Sequence, residues 1–274
     1  ECAVGVFLPF GGARAVKLAS FLMANGVRVF GANADLLGGM NSAHVQRVLK
    51  DFVLELPKCE YANTADSALA AAEKLGFPLL MRPLRVTSVQ NVVVATEEKE
   101  VKAYAKRMLD GGAQTVLLDK FMEGKELEIS VISDGKDVLV PAVVQHIERA
   151  GVREGDSVMV YPPYDVNDKI ITRAVDFAGK IAIALGVQGI VNIQFLVYNN
   201  EICVTECSPF ASRTLPFISK ASGVPVMDIA TKVMAGSSIA ALGYGSGMCP
   251  APPYFAVKAP VFSFEKLTDA NSYI

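Results

Sequence analysis

The sequence predicts an α+β fold whose sheets are largely antiparallel and form two lobes behind a small Rossmann-like start. A strand–helix–strand pattern opens the chain, over residues 2–31. Three predicted strands then follow one another between residues 115 and 146 without a helix, which favours antiparallel pairing. Further on, two apolar, β-rich runs flank Asn199-Asn200, and this pattern is typical of a hairpin with an Asn-rich turn.

Length, composition and charge exclude several classes of protein. The chain has 274 residues, 51% of them hydrophobic and 20% charged, and its net charge is −2. Such a length buries roughly three-quarters of the unfolded surface, enough for one large domain or two lobes. Lys and Arg are scattered without the basic stripe that nucleic acid or an acidic membrane requires. No apolar run reaches the ~20 residues of a transmembrane helix.

The cysteines and histidines argue against a metal site built from either residue type. Five cysteines are an odd number without metal-ligand spacing, so free thiols in a reducing compartment are expected. With two histidines, His44 and His146, a His-rich metal site is excluded. The chain opens inside a predicted buried strand without a targeting segment, and we expect it to be a piece of a longer polypeptide.

The Rossmann-like start consists of an apolar strand at 2–12, an amphipathic helix at 13–25 and a strand at 27–31. Its Gly11-Gly12 pair lacks the full dinucleotide fingerprint, so a tight turn is expected there rather than a phosphate site. The elements predicted next are helices at 42–53 and 64–75, strands at 77–81 and 91–95, a helix at 97–109, and strands at 115–121, 126–133 and 138–146. The helix at 64–75 is expected to have Asn63 or Thr64 as its N-cap and to end at Gly76.

The second half is predicted to contain one long loop and the hairpin. Residues 147–167, with Pro162-Pro163, form a loop of a length typical of functional or mobile segments. The elements predicted around and after the hairpin are a helix at 168–185, short helices at 215–221 and 226–234, and a final strand at 254–261.

Gln194 and Glu206 are the candidate metal ligands of the hairpin. Each follows an apolar run, and antiparallel pairing brings their strands side by side. A carboxylate beside an amide oxygen suits a hard cation such as Mg²⁺, which leaves coordination positions for phosphate oxygens. The alternative is a pair of polar strand-end residues that face solvent.

Several stretches together resemble the ATP-grasp half of the carbamoyl-phosphate synthetase large subunit, particularly its second half. The order and spacing of these stretches run nearly end to end. They are Arg82-Pro83, His146-Ile147-Glu148 with Gly155-Asp156-Ser157, Asn192 to Phe195, Glu206-Cys207, Ala211 to Thr214, Pro216 to Lys220, Asp228 to Met234, and Val257 to Phe264.

The resemblance implies an ATP-grasp fold and a set of site residues. It implies a partial pre-ATP-grasp segment at 1–45 and an ATP-grasp domain at 46–274, with a lid lobe at about 77–146. In that family two lobes clamp ATP, and Mg²⁺ (or Mn²⁺) ions bridge its phosphates. The residues that match nucleotide-binding positions are Arg82, Lys120, Met122, Glu126, Gly151, Val152, Gln194 and Glu206. Those that match the metal site are Gln194, Glu206 and Ser208, and Arg213 matches a catalytic phosphate contact.

The sequence also departs from the family pattern at three places. The family lid has two adjacent glycines, whereas Leu84 to Val89 contain none and include β-branched residues, which resist positive φ. Ser208 and Phe210 replace the Asn and Arg of the family motif Glu-x-Asn-Pro-Arg. Arg153-Glu154 replaces the usual His-Ser of the nucleotide loop.

Two functions therefore stay open on the sequence. One is an ATP- and Mg²⁺-dependent ligase step that phosphorylates carbamate to carbamoyl phosphate, impaired by these departures. The other is a non-catalytic module that keeps the fold for subunit contact or regulation. The resemblance further implies flanking synthetase domains, a glutaminase partner, a pathway role in pyrimidine or arginine biosynthesis, and a cytoplasmic location, or the mitochondrial matrix for a eukaryotic synthetase.

Overall fold

A computed structural model describes residues 4–31, 36, 42–51, 58–84, 93–122, 124–148 and 157–261. Within these ranges the chain forms three sheets, with two, four and eight strands. All their strand pairs are antiparallel except β1–β2 and β8–β13. The predicted α+β class with largely antiparallel sheets is confirmed. No helix in these ranges is long and apolar enough to cross a membrane.

The N-terminal segment is a small parallel β-α-β unit that packs on the larger part of the molecule. Its elements are β1 (Val6–Phe7), α1 (Gly12–Val16), α2 (Ala19–Ala24), β2 (Val29–Phe30) and α3 (Ala43–Asp51). The single helix predicted at 13–25 is divided into α1 and α2, with a turn at Lys17-Leu18. Gly31 requires glycine, because its φ is +70° and a Cβ there would meet Met234 Sδ at 1.9 Å.

The four-stranded sheet has the order β3-β6-β4-β5 and carries helices on one face. Its elements are β3 (Cys59–Ala62), α4 (Ala65–Leu75), β4 (Leu79–Pro83), β5 (Val93–Ala95), α5 (Glu98–Asp110) and β6 (Val116–Lys120). Thr64 caps α4 by accepting from the Ser67 backbone N–H, as the sequence indicates. Alternate strand residues such as Met81 and Leu118 form a core with the two helices.

The eight-stranded sheet follows the path β12-β11-β7-β9-β10-β14, with β8 and β13 beside it. Its strands are β7 (Lys125–Asp134), β8 (Val138–Val140), β9 (Val143–His146), β10 (Met159–Tyr161), β11 (Gln188–Tyr198), β12 (Glu201–Ser208), β13 (Gly247–Met248) and β14 (Ala256–Lys258). Its helices are α6 (Asp168–Ala184), α7 (Leu215–Ser222) and α8 (Val226–Met234).

Each face of the eight-stranded sheet has its own core. Odd-numbered residues of β11, such as Ile193 and Phe195, pack with α3 and α6. The opposite face packs with α7 and α8 around Ile132, Ile190 and Ile229. This second core covers only part of its face, and the remaining part carries the polar residues described below.

Two elements differ from the sequence expectations for physical reasons. The strand predicted at 138–146 is interrupted at Pro141, which has no N–H to donate to a ladder. The loop predicted at 147–167 contains β10, whose ladder partners β9 and β14 are supplied from both sides.

The sheets divide the chain differently from the expected lid lobe at 77–146. The four-stranded sheet extends from Cys59 to Lys120, whereas the strands from Lys125 to His146 belong to the eight-stranded sheet. Strand pairing is the cause, because β7 bonds to β11 along ten residues. The wider division at 45 and 46 stays a prediction.

Candidate functional site

A row of polar residues crosses three neighbouring strands of the eight-stranded sheet. Glu128 of β7 pairs with Gln194 of β11, and Gln194 pairs with Glu206 of β12. Residues directly opposite one another in a ladder point to the same face, so the three side chains share one face. The turn at Asn199-Asn200, with φ of 51° and 63° at its two central residues, joins β11 and β12. A register shift between Gln194 and Phe195 then places Glu206 opposite Gln194.

Ser208 joins this row through a hydrogen bond within β12. Its Oγ donates to Glu206 Oε1 at 2.5 Å, and the serine is buried at 6% exposure. Gln194 is likewise buried at 8% exposure, so it is not the solvent-facing strand-end residue of the alternative interpretation. The structure therefore brings together the three residues expected to form the metal site.

The donor atoms at this position fit a hard cation. They are an amide oxygen, a carboxylate and a hydroxyl, which are the ligand types that Mg²⁺ accepts while it keeps water or phosphate oxygens. Across the described ranges no group of three or more His, Cys, Asp and Glu residues could hold a metal by itself. A cation here would thus depend on Gln194, Glu206 and Ser208 together with oxygen atoms from a ligand.

Cys207, between the two β12 donors, points to the opposite face and does not contribute a ligand. It belongs to the core with α6 and is 2% exposed. Burial, and secondarily the Glu206 carboxylate, raises the pKa of this thiol to about 12. The thiol is therefore protonated at neutral pH, and thiolate is the form that binds metals.

A buried hydrogen-bond chain adjoins the polar row, and sequence reasoning missed it. His146 Nε2 lies 3.1 Å from Glu128 Oε2, and His146 Nδ1 lies 2.7 Å from Ser157 Oγ. All three side chains are almost fully buried, at 2% exposure or less. The polar residues at every second position of β7, Glu126, Glu128 and Ser130, were the available signal, because they must share one face.

An apolar patch lies on the same sheet face beside the polar row. It consists of Leu196 and Cys203, with the half-buried Met122 packed against them. Leu196 and Gln194 are two residues apart on β11, and Cys203 is the partner of Leu196 on β12. Gly124 permits this close approach, because a Cβ there would lie 2.5 Å from the Val197 carbonyl oxygen. Met122 is thus placed where an apolar ring could lie next to the polar row.

Glu126 and Lys120, the remaining expected nucleotide contacts of this region, have different environments. Glu126 pairs with His146 and with Leu196 in the ladders, and it is buried at 6% exposure. Lys120 ends β6 and its Nζ donates to the carbonyls of Gly76 and Phe77 at 2.9 and 2.7 Å. The lysine ammonium is therefore engaged with backbone oxygens in this state.

Arg82 lies on the face of the four-stranded sheet that carries no helix. Its Nε donates to Asp119 Oδ2 at 3.1 Å. Arg213 is exposed in the turn between β12 and α7. Gly151 and Val152, and the lid residues 85–89, lie outside the described residues.

Two of the departures from the family motif lie at the end of β12. Ser208 offers a hydroxyl where the family has an amide oxygen, and Phe210 is a half-buried aromatic residue where the family has a charged one. The hydroxyl already donates to Glu206, so its oxygen remains near the polar row.

Comparisons with known proteins agree on one family and one fold. A family model described as "Carbamoyl-phosphate synthase L chain, ATP binding domain" matches residues 42–242. The carbamoyl phosphate synthase large chain of Clostridium perfringens is 39% identical over 269 residues, 97% of this chain and 25% of the relative. That of Thermoanaerobacter sp. is 40% identical over 273 residues, 99% of this chain and 26% of the relative. The chain thus spans about a quarter of the length of these relatives.

Solved structures with low sequence identity share the fold. A biotin carboxylase–βγ-ATP complex from Campylobacter jejuni has a TM-score of 0.70 at 17% identity, over 86% of this chain and 55% of that one. The biotin carboxylase domain of a single-chain bacterial carboxylase has a TM-score of 0.72 at 15% identity, over 93% of this chain and 57% of that one. The expected ATP-grasp fold is confirmed.

Proposed function

Because the chain belongs to the family of carbamoyl-phosphate synthase large-chain ATP-binding domains, we propose that it binds Mg²⁺–ATP on the polar face of its eight-stranded sheet. One observation carries the proposal: Gln194 pairs with Glu206, and Ser208 donates to that same carboxylate at 2.5 Å. Three oxygen donors on one face make a cation site that needs phosphate oxygens to complete it. Bound Mg²⁺ would neutralise charge on the ATP phosphates.

The chain's own residues supply the remaining parts of a nucleotide site. Met122, with Leu196 and Cys203, offers an apolar surface for the adenine ring. This surface adjoins the proposed metal ligands, because Leu196 lies two residues from Gln194 on β11. Glu126 lies next to this patch and would accept hydrogen bonds from the ribose hydroxyls. Arg82 and Arg213 would contact phosphate oxygens, and Arg213 would do so at the group that is transferred.

The reaction that this site supports is phosphoryl transfer to carbamate, which gives carbamoyl phosphate and ADP. Such a transfer depends mainly on positioning and on charge stabilisation rather than on covalent catalysis by the protein. The residues required are therefore cationic groups and metal ligands, which the two arginines and the three oxygen donors of the polar face would supply. Within a longer synthetase, flanking domains and a glutaminase partner would supply the carbamate precursor.

A second candidate function is a non-catalytic ATP-grasp module, and the end of β12 favours it. Phe210 cannot stabilise a negative charge, and loss of one well-placed electrostatic group costs about 10²–10³ in rate. Ser208 is a shorter ligand than an amide side chain. In this candidate the fold and the nucleotide pocket persist, and turnover is lost.

Calorimetric titration of the 274-residue chain with Mg²⁺–ATP and Mg²⁺–ADP tests the binding proposal. We expect micromolar affinity, and a loss of about tenfold in Gln194→Ala or Glu206→Ala, since each removes one metal ligand. Gln188→Ala and Glu201→Ala are matched controls, because these residues are exposed on the same two strands. With the metal chelated, all five proteins should bind ADP equally weakly. Wild-type protein that binds no nucleotide at millimolar concentration would refute the proposal.

The same titration, followed by an ADP-release assay with carbamate, separates the two candidates. Ser208→Asn with Phe210→Arg should strengthen Mg²⁺–nucleotide binding about tenfold, because an amide ligand and a cation are restored. If wild-type protein turns over at a rate typical of kinases, about 1 s⁻¹ or more, the non-catalytic candidate fails. Nucleotide binding without turnover, in wild type and in the double variant, would refute the catalytic candidate for this chain.

A further inference from the structure

A charged pair occupies the helix-free face of the four-stranded sheet. Arg82 lies on β4 and Asp119 on β6, where Asp119 pairs with Leu80 and Arg82 with Leu117. The alternate residues Met81 and Leu118 face the helices, so Arg82 and Asp119 point the other way. On the next strand, Cys59 is the ladder partner of Asp119.

The two members of the pair differ greatly in exposure. The Arg82 side chain is 49% exposed, whereas the Asp119 side chain is 14% exposed. Their contact is one hydrogen bond, from Arg82 Nε to Asp119 Oδ2 at 3.1 Å. Within the described residues this is the single side-chain hydrogen bond of Arg82. The guanidinium is therefore attached by its inner nitrogen, and its two terminal nitrogens remain available as donors.

The position of Asp119 is not explained by stability. Burial raises the pKa of this carboxyl, and the Arg82 guanidinium only opposes that rise. A carboxylate that loses water and gains one exposed partner contributes little net stability. Burial also raises the pKa of the neighbouring Cys59 thiol, and the Asp119 carboxylate adds to that rise. The charge is therefore held at some cost to the fold, which is common at functional sites.

We propose that Asp119 is a positioning residue, which holds Arg82 by Nε so that the two terminal nitrogens of the guanidinium point outward to bind phosphate oxygens of the nucleotide. A guanidinium that binds phosphate through two parallel N–H groups needs a fixed plane. A free arginine side chain must lose rotamer freedom on binding, and Asp119 removes part of that loss in advance. The inference rests on the proposed nucleotide site and assigns one residue of it.

Asp119 variants of the full 274-residue chain test this role through the difference between a nucleotide and its nucleoside. Titration with Mg²⁺–ADP should show an affinity about tenfold lower in Asp119→Leu than in wild type. The affinity of Asp119→Asn should lie between these two values, because Asn keeps a hydrogen-bond acceptor without the charge. Titration with adenosine should change less than twofold, since adenosine has no phosphate. Glu60→Gln is the matched control, because it breaks the Lys74–Glu60 pair of the same sheet and should alter neither titration.

A double variant distinguishes positioning from a general structural role. If Asp119 acts through Arg82, adding Asp119→Leu to Arg82→Ala should not weaken ADP binding further. The proposal is overturned if the losses of ADP affinity in the two single variants add in the double variant. It is also overturned if Asp119→Leu weakens the binding of adenosine and of ADP equally, or if Asp119→Leu folds and binds ADP as wild type does. Circular dichroism establishes folding, and Asp119→Asn provides the test if Asp119→Leu does not fold. If the wild-type protein binds no ADP, the nucleotide-site proposal itself is overturned. If the wild type binds ADP and the Asp119 variants bind it equally well, only the role of Asp119 is overturned.

Discussion

Neighbouring residues of β12 have opposite environments. Glu206 and Ser208 face the polar side, whereas Cys207 between them faces the core with α6. Burial raises the pKa of Cys207 to about 12, with the Glu206 charge as the smaller cause. Strand β12 therefore carries a protonated thiol on its core face and the candidate ligands on its polar face.

At the residue scale, this thiol predicts a loss of stability at alkaline pH. A thiol whose folded pKa is raised stabilises the fold below the unfolded value of 9.0, and this stability is lost as pH rises toward 12. Between pH 9.5 and 11, the free energy of unfolding of the wild type, measured with urea, should therefore fall more steeply than that of Cys207→Ala. The difference in slope should be up to about 1.4 kcal/mol per pH unit. The same slope in both proteins would contradict the prediction. Cys59→Ala, which alters an exposed cysteine, should change the slope less.

The hairpin of β11 and β12 is the element that aligns the candidate metal ligands. Its two-residue turn, with positive φ at Asn199 and Asn200, is a type I′ turn that pairs Phe195 with Val204. A bulge between Gln194 and Phe195 then shifts the register by one residue, so Gln194 opposes Glu206, whereas the register of the turn alone would place Thr205 opposite Gln194.

At the element scale, substitutions at the second turn position should separate conformational strain from chemistry. Asn200→Gly should leave the free energy of unfolding within about 0.5 kcal/mol or raise it, because glycine suits the left-handed region. Asn200→Val should lower it by about 1–2 kcal/mol, because a β-branched residue resists positive φ. Urea denaturation measures both values. Equal stability of the two variants would show that the turn does not depend on this conformation.

Two of the three sheets in the described residues, the four-stranded and the eight-stranded sheet, have separate cores. Leu118 lies in the core of the four-stranded sheet with α4 and α5, and Leu127 lies in the core between the eight-stranded sheet and α6. Both leucines are fully buried, at 0% exposure. In the proposed nucleotide site, Arg82 and Asp119 would come from the first sheet and Gln194 and Glu206 from the second, so binding would require both cores to be intact.

At the scale of the molecule, matched core substitutions should loosen one sheet at a time. Leu118→Ala and Leu127→Ala should each destabilise their own core by about 2–5 kcal/mol. Hydrogen exchange should rise in residues 59–120 for the first variant and in the β7–β11 ladder for the second. Faster exchange of both sheets in either variant would show that the molecule unfolds as a single cooperative unit.

Local patterns predicted most of the elements, because they depend on neighbours in the chain. The apolar periodicity indicated α6, the cap expected at Asn63 or Thr64 and the glycine at 76 marked the ends of α4, and Asn199-Asn200 marked the hairpin turn. The hairpin pattern indicated Gln194 and Glu206 as a pair, the family resemblance added Ser208, and the ladder register brings the three to one face. Their role as ligands stays a prediction.

Tertiary structure decided what depends on partners far away in the chain. The short strand β10 exists because β9 and β14 supply its hydrogen bonds, and its own three residues carry no comparable signal. The chain Glu128–His146–Ser157 and the pair Arg82–Asp119 join residues that lie on separate elements. The sequence by itself determined the periodicities, caps and turns, since these follow from side chains within a few residues of one another. The ladder register, the burial of charged groups and their pairing follow from long-range packing, and only the folded chain defines them.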